Sequence, residues 1–169
     1  MPAAIIFQIQ LALGYVPWLL LFVTYLWPRL REIDPLAAHR LIATLHSFRF
    51  FGLVFLVPGV VGPGLPPRFA ASAAYGDFAA GLLAILALLS IRVRPLFLTF
   101  VVAFNIVGAA DLILNYVHGI RLDLPGAAGA LGGAYWIPIL YVPILMITHV
   151  AAFRLLLRRR RNVPQAQTA

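Results

Sequence analysis

The stretch ATLHSFRFFGLVFLVPG, residues 43–59, reads as part of a membrane-crossing helix, yet it holds His46 and Arg49 three residues apart. Ionisable side chains at membrane depth are costly, so they face a bundle interior and find partners there. Whether this stretch is a buried helix of a multi-pass protein therefore decides the fold. Composition says that it is. Of 169 residues, 63% are hydrophobic and 11% charged, where soluble domains run near half and a quarter. A core of this size cannot hide that excess, and lipid has to solvate part of the surface.

Apolar runs of about 20 residues suffice to cross a bilayer as helix. Five are expected, at about 4–27, 37–61, 69–91, 95–117 and 135–157, with breaks at WPRLREIDP, VGPGLPPR, RVRP and HGIRLDLPGAAGALGGA. The reading is an all-α membrane protein: a single transmembrane domain over 1–161, a bundle of five helices, and a polar cytoplasmic tail over 162–169. The glycine-rich PGAAGALGGAYW is expected to be a flexible outer loop. The first run lacks a basic n-region and a cleavage site, so it reads as a retained helix. Trp18, Trp27, Trp136, Tyr25 and Tyr135 fall near span ends, as interfacial anchors do.

All the basic charge is arginine, because the chain has no lysine, and its net charge is +8. Retinal needs a lysine amine, so that cofactor is excluded. The absence of cysteine removes disulfides, thiolate metal sites and iron–sulfur clusters. Arginine without lysine suggests a GC-rich bacterial genome. Arg29, Arg31, Arg40, Arg92, Arg94, Arg154 and Arg158–Arg161 fall on one side of the proposed spans, while Arg68 and Arg121 fall on the other. The positive-inside rule then gives N-out and C-in. The lipid bilayer is the implied partner. Nucleic acid is not, because the basic residues gather at span ends.

The polar residues inside the spans are the candidate site. Asn105, Gly108, Asp111, Asn115 and His118 recur every three or four residues along one face of the fourth run. His46 and Arg49 lie on the second run, Asp77 on the third and His149 on the fifth. At 1.5 Å per residue, His46 and His149 sit ~10 Å from the arginine-rich edge, and Asp77 and Asp111 ~12 Å from the other. Arg49 and Asn105 fall between these two tiers, and Arg49 is long enough to reach the two aspartates. In the third run, Ala73, Asp77, Ala80, Ala84 and Ala87 make a small-residue face for close helix approach.

Several functions fit this pattern. Arg49, Asp77, Asn105, Asp111, Asn115, His46 and His149 form a polar core that binds or conducts a proton or small ligand. Pro17, Pro58, Pro138 and Pro143 free backbone carbonyls that suit either role. A b-type haem between His46 and His149, equal in depth on antiparallel helices, is the second reading. A third lines an apolar pocket with Phe48, Phe50, Phe51, Phe55, Phe100 and Phe104, with His46 and Asp77 or Asp111 as acid and base. A structural or accessory membrane subunit, with an ion pair that fixes helix register, is the fourth. No nucleophile-elbow, zinc-peptidase or dinucleotide motif is present, no metal site is implied outside the haem reading, and enzyme activity stays open. Five spans are few for alternating access, which leaves a homo-oligomer or a membrane-complex partner open as well.

In HSFRFFGLVFLVPG, AYGD, FNIVGAADL and GAYWIPILYVPILMITH the chain resembles small, uncharacterised multi-pass proteins of bacterial membranes. The resemblance spans the second to fifth runs. It implies an inner-membrane helical bundle and brings no activity, substrate or cofactor with it.

Overall fold

The computed structural model describes residues 1–161; the expected polar tail at 162–169 lies outside them. The fold is all-helical, with no β-strand among the described residues. Helix α1 runs Ala3–Glu32 with a π-helical turn at Phe22–Leu26, and α2 runs Pro35–Ser47. A 3-10 stretch, Phe48–Leu56, continues α2. Helices α3, Pro67–Leu89, and α4, Arg94–Arg121, follow. A second 3-10 stretch, Ala128–Tyr135, and a π-helical turn, Ile137–Tyr141, lead into α5, Val142–Arg161.

Four segments are long and apolar enough to cross a membrane: Ala3–Glu32, Pro67–Leu89, Arg94–Arg121 and Ile137–Arg158. This corrects the expectation of five. The exception is the very stretch around His46 and Arg49, where the α-helix stops after 13 residues and tightens to 3-10. Local chemistry favours the switch. Thr44 and Ser47 hydroxyls bond back to the carbonyls of Arg40 and Thr44, which bends helices. The Tyr141 hydroxyl donates to the Leu45 carbonyl at 3.0 Å, occupying the acceptor that an α-helical Arg49 N–H would have used.

The ends of the elements carry ordinary stop and start chemistry. Asp34 caps α2, its Oδ2 accepting the Leu36 and Ala37 amides at 2.9 and 3.1 Å, with Pro35 at the first helical position. Pro143 in α5 has no N–H for the Ile139 carbonyl. Helix α1 comes so close there that a side chain at Gly14 would collide with that oxygen. Trp18, read as an interfacial anchor, instead donates its indole N–H to the Leu140 carbonyl at 2.7 Å, and so serves the irregular start of α5.

Helix α3 lies at the centre, packed against α2, its 3-10 extension and α4. Its expected small face is buried: Ala80, Ala84 and Ala87 are fully enclosed, beside Ala73 and Asp77. The buried apolar residues form two clusters. One, with Phe22, Ile42, Ala84, Phe97, Val101 and Phe104, lies toward the end rich in arginine. The other, with Phe7, Phe55, Phe69, Leu124 and Leu131, lies toward the opposite end. The polar residues sit between them.

The glycine-rich segment is a packed element, which corrects the expectation of a flexible loop. Ala128, Leu131 and Ala134 are buried, Gly62 N donates to the Ala130 carbonyl at 2.7 Å, and Gly133 N to the Val60 carbonyl at 2.9 Å. Gly132 adopts φ 52°, and any side chain there would strike the Val60 carbonyl. The alternation of alanine and glycine lets two backbones meet and close one end of the bundle.

Candidate functional site

Arg49 is the centre of the polar layer. Its side chain, carried on the first turn of the 3-10 stretch, is 0% exposed. Nε donates to Asp77 Oδ1 on α3 at 2.7 Å, Nη2 to Asp111 Oδ2 on α4 at 2.6 Å, and Nη1 to His149 Nε2 on α5 at 3.3 Å. One guanidinium thus joins three helices to the broken second segment. Its planar fork suits this task; a lysine ammonium could not serve three directions at such separations.

The bonds continue in both directions. Asn115 Nδ2 donates to Asp111 Oδ1 at 2.9 Å, and Asn115 Oδ1 accepts from Ser72 Oγ, which meets His118 Nδ1 at 3.3 Å. On the other side, His149 Nδ1 meets Asn105 Oδ1 at 2.9 Å, while Asn105 Nδ2 donates to the Val101 carbonyl. Arginine has only N–H groups to offer, so His149 Nε2 is the acceptor, its proton sits on Nδ1, and the ring is neutral. The two tiers expected from depth are therefore one connected network.

His46 belongs to the network's edge. Its Nε2 meets Thr148 Oγ1 at 3.0 Å, and its ring lies on that of His149 with centroids 4.2 Å apart. Nδ1 of His46 is buried without a hydrogen-bond partner among the described residues. This pair does not fit a haem. Two imidazoles on opposite faces of one iron keep their ring centres roughly 6 Å apart, since each metal–nitrogen bond is about 2 Å. Here the rings touch, and both nitrogens of His149 are engaged. Among the described residues no group of three or more His, Cys, Asp or Glu is arranged to hold a metal.

A cavity of about 100 Å³ adjoins the cluster. Its walls include Phe7 and Leu11 of α1, Phe55, Phe69 and Ala73, residues between Leu112 and Ile120 on α4, and Ile137, Pro138 and Val142 at the start of the last helix. Asp77, Asn115 and Tyr116 are polar groups on its surface, and Ile120, 77% exposed, stands at its rim. Of the six phenylalanines expected to line a pocket, only Phe55 does so. Phe48, Phe50 and Phe51 are 42–52% exposed on the bundle surface, and Phe104 is enclosed in the apolar cluster at the other end. His46, expected to act with an aspartate as acid and base, is instead bonded to Thr148.

Residues 6–157 match the family described as a domain of unknown function, DUF8737. The chain belongs to that family. No curated protein and no solved structure matches it. In this DUF8737 chain all seven candidate residues fall in or against the Arg49 network, which also recruits residues not anticipated: Ser72, Thr148 and two glycines. A side chain at Gly52 would overlap Asp77, and one at Gly76 would overlap the Asp111 carboxylate. Gly108, already noted on the polar face of α4, leaves room for Arg49 Nη1 and His149. The visible signal was adjacency: Gly76 precedes Asp77, Gly52 is one 3-10 turn past Arg49, and Thr148 precedes His149. Tyr15 and Tyr116 hydroxyls, 2.6 Å apart, tie α1 to α4 beside the cavity.

Proposed function

We propose that the protein is a polytopic protein of the bacterial inner membrane that binds a small ligand in the pocket ending on Asp77. The observation that carries this reading is the position of that carboxylate. Asp77 is only 5% exposed, it lines the cavity, and its partner Arg49 is itself enclosed. Arg49, bonded to Asp77 and Asp111 together, holds the Asp77 carboxylate in place. The arginine-rich end, with Arg29, Arg31, Arg40, Arg92, Arg94, Arg154 and Arg158, faces the cytoplasm on this reading, so the pocket is reached from outside. Binding is favoured over conduction because the cytoplasmic half is filled by Ala84, Ala87, Phe97, Val101 and Phe104, each no more than 1% exposed.

The natural absence of cysteine makes the test clean. Gly119 lines the pocket, and a Cβ there meets only ordinary contacts, the nearest being Leu124 at 3.5 Å. Gly119→Cys is expected to react with methyl methanethiosulfonate at least ten times faster than Val101→Cys. Equal protection of the two thiols would remove the pocket. In intact cells, Arg121→Cys is expected to react with a membrane-impermeant reagent and Arg94→Cys not to; the reverse pattern inverts the orientation.

A further inference from the structure

We infer that the pocket is built for a small protonated amine with a short apolar body. This rests on the pocket reading above and names the chemistry of its occupant. Two aspartates face one arginine, and His149 is neutral in the bonding arrangement, so the cluster carries one negative charge when both carboxylates are ionised. Asp111 spends both oxygens, one on Arg49 and one on Asn115. Asp77 spends only Oδ1 on Arg49, and its other oxygen receives no hydrogen bond from the described residues. Asp77 lines the cavity, and its Oδ2, beside Gly52, keeps acceptor capacity that a donor from a ligand can use.

The remaining walls choose among donors. Phe7, Phe55, Phe69 and Tyr116 are aromatic, and ring faces attract ammonium groups. Arg49 does not line the cavity, so an anionic ligand would meet the carboxylate before the guanidinium. A neutral alcohol would supply a donor but leave the negative charge uncompensated. The volume sets the body length: a cavity of 150 Å³ holds benzene, so one of about 100 Å³ has room for about four or five non-hydrogen atoms. A proton on the carboxylates answers the same charge, so proton and ammonium compete for the site.

The test uses the full chain in nanodiscs of phosphatidylglycerol, which has no ammonium headgroup. Binding of n-butylammonium, n-butanol and butyrate is followed by calorimetry and by thermal shift. The ammonium is expected to bind at least ten times more tightly than the alcohol, with butyrate weakest. Asp77→Asn is expected to abolish that preference. Because this variant also loosens Arg49, Gly119→Leu, whose added side chain enters the cavity wall beside Leu124 and Phe69 and no charged group, is the second arm and is expected to weaken ammonium binding at least tenfold. Suppression of the signal by phosphatidylethanolamine in the nanodisc would support the same ammonium chemistry with a lipid headgroup as its source. Equal affinity for alcohol and ammonium overturns the inference and leaves the pocket standing. Absence of binding by all three probes overturns it too, and the Gly119→Cys reactivity then decides separately whether the pocket exists.

Discussion

Arg49→Leu is expected to destabilise the folded bundle by about 3–5 kcal/mol, the usual effect of removing one partner from a buried ion pair. The effect belongs at the top of that range. Leucine leaves two carboxylates, on α3 and α4, facing each other in an enclosed layer without their shared donor, and takes away the Nη1 donor of His149. Most of the effect comes from the uncompensated carboxylates that stay buried, and less from the absence of the guanidinium's own attractions. Arg49→Leu combined with Asp77→Asn and Asp111→Asn is therefore expected to recover a large part of the stability, since no uncompensated charge remains. Reversible unfolding in mixed detergent measures both variants. A single variant as stable as the parent, or a triple variant no better than the single, would show that the three groups do not form one buried unit.

Much of this core was legible because charge in an apolar run admits few solutions. Arg49, Asp77 and Asp111 each sit in a run with no other charge nearby, and the regular rise of a helix places them at compatible depths. Asn105, Asn115 and the glycine between them declared their face by spacing alone. Depth is only one coordinate, however. Equal depth for His46 and His149 is compatible with a haem-wide gap and equally with ring contact, and the structure has contact. Nothing in the spacing fixes the lateral distance between two helices.

Other features depend on neighbours that a local reading does not contain. The switch from α to 3-10 at Phe48 changes the repeat from 3.6 to 3.0 residues, so the faces of Phe48, Phe50 and Phe51 shift toward the surface. Part of its cause is Tyr141, remote in sequence, whose hydroxyl takes the Leu45 carbonyl. The cavity likewise has walls from five separated parts of the chain, and only the folded arrangement assembles them. Gly76 and Gly52 could be read as helix-weakening residues beside charges. Their purpose appears once the carboxylates are seen to occupy the space that a Cβ would take.

That space gives the second large effect, and its sign is the informative part. In a helix interior, glycine to alanine ordinarily stabilises by roughly 0.5–1 kcal/mol through backbone entropy. Gly119→Ala on α4 is expected to follow that rule, because its nearest neighbour would stand 3.5 Å away. Gly108→Ala on the same helix is expected to do the opposite, since its methyl would occupy the positions of Arg49 Nη1 and His149; Gly76→Ala would likewise displace the Asp111 carboxylate. Overpacking costs about 1–3 kcal/mol, and separation of the ion contacts raises the loss toward the value for Arg49→Leu. If the penalty comes from the ion cluster, then Gly108→Ala in the Arg49→Leu, Asp77→Asn, Asp111→Asn background should lose much of its effect, because leucine has no guanidinium to collide with. A penalty unchanged in that background would place the crowding on His149 alone, and a stabilising Gly108→Ala would mean that α4 does not approach Arg49 as closely as the glycine allows. The sign of one methyl group thus distinguishes a polar core held in place by the surrounding backbone from charges that only happen to share a layer.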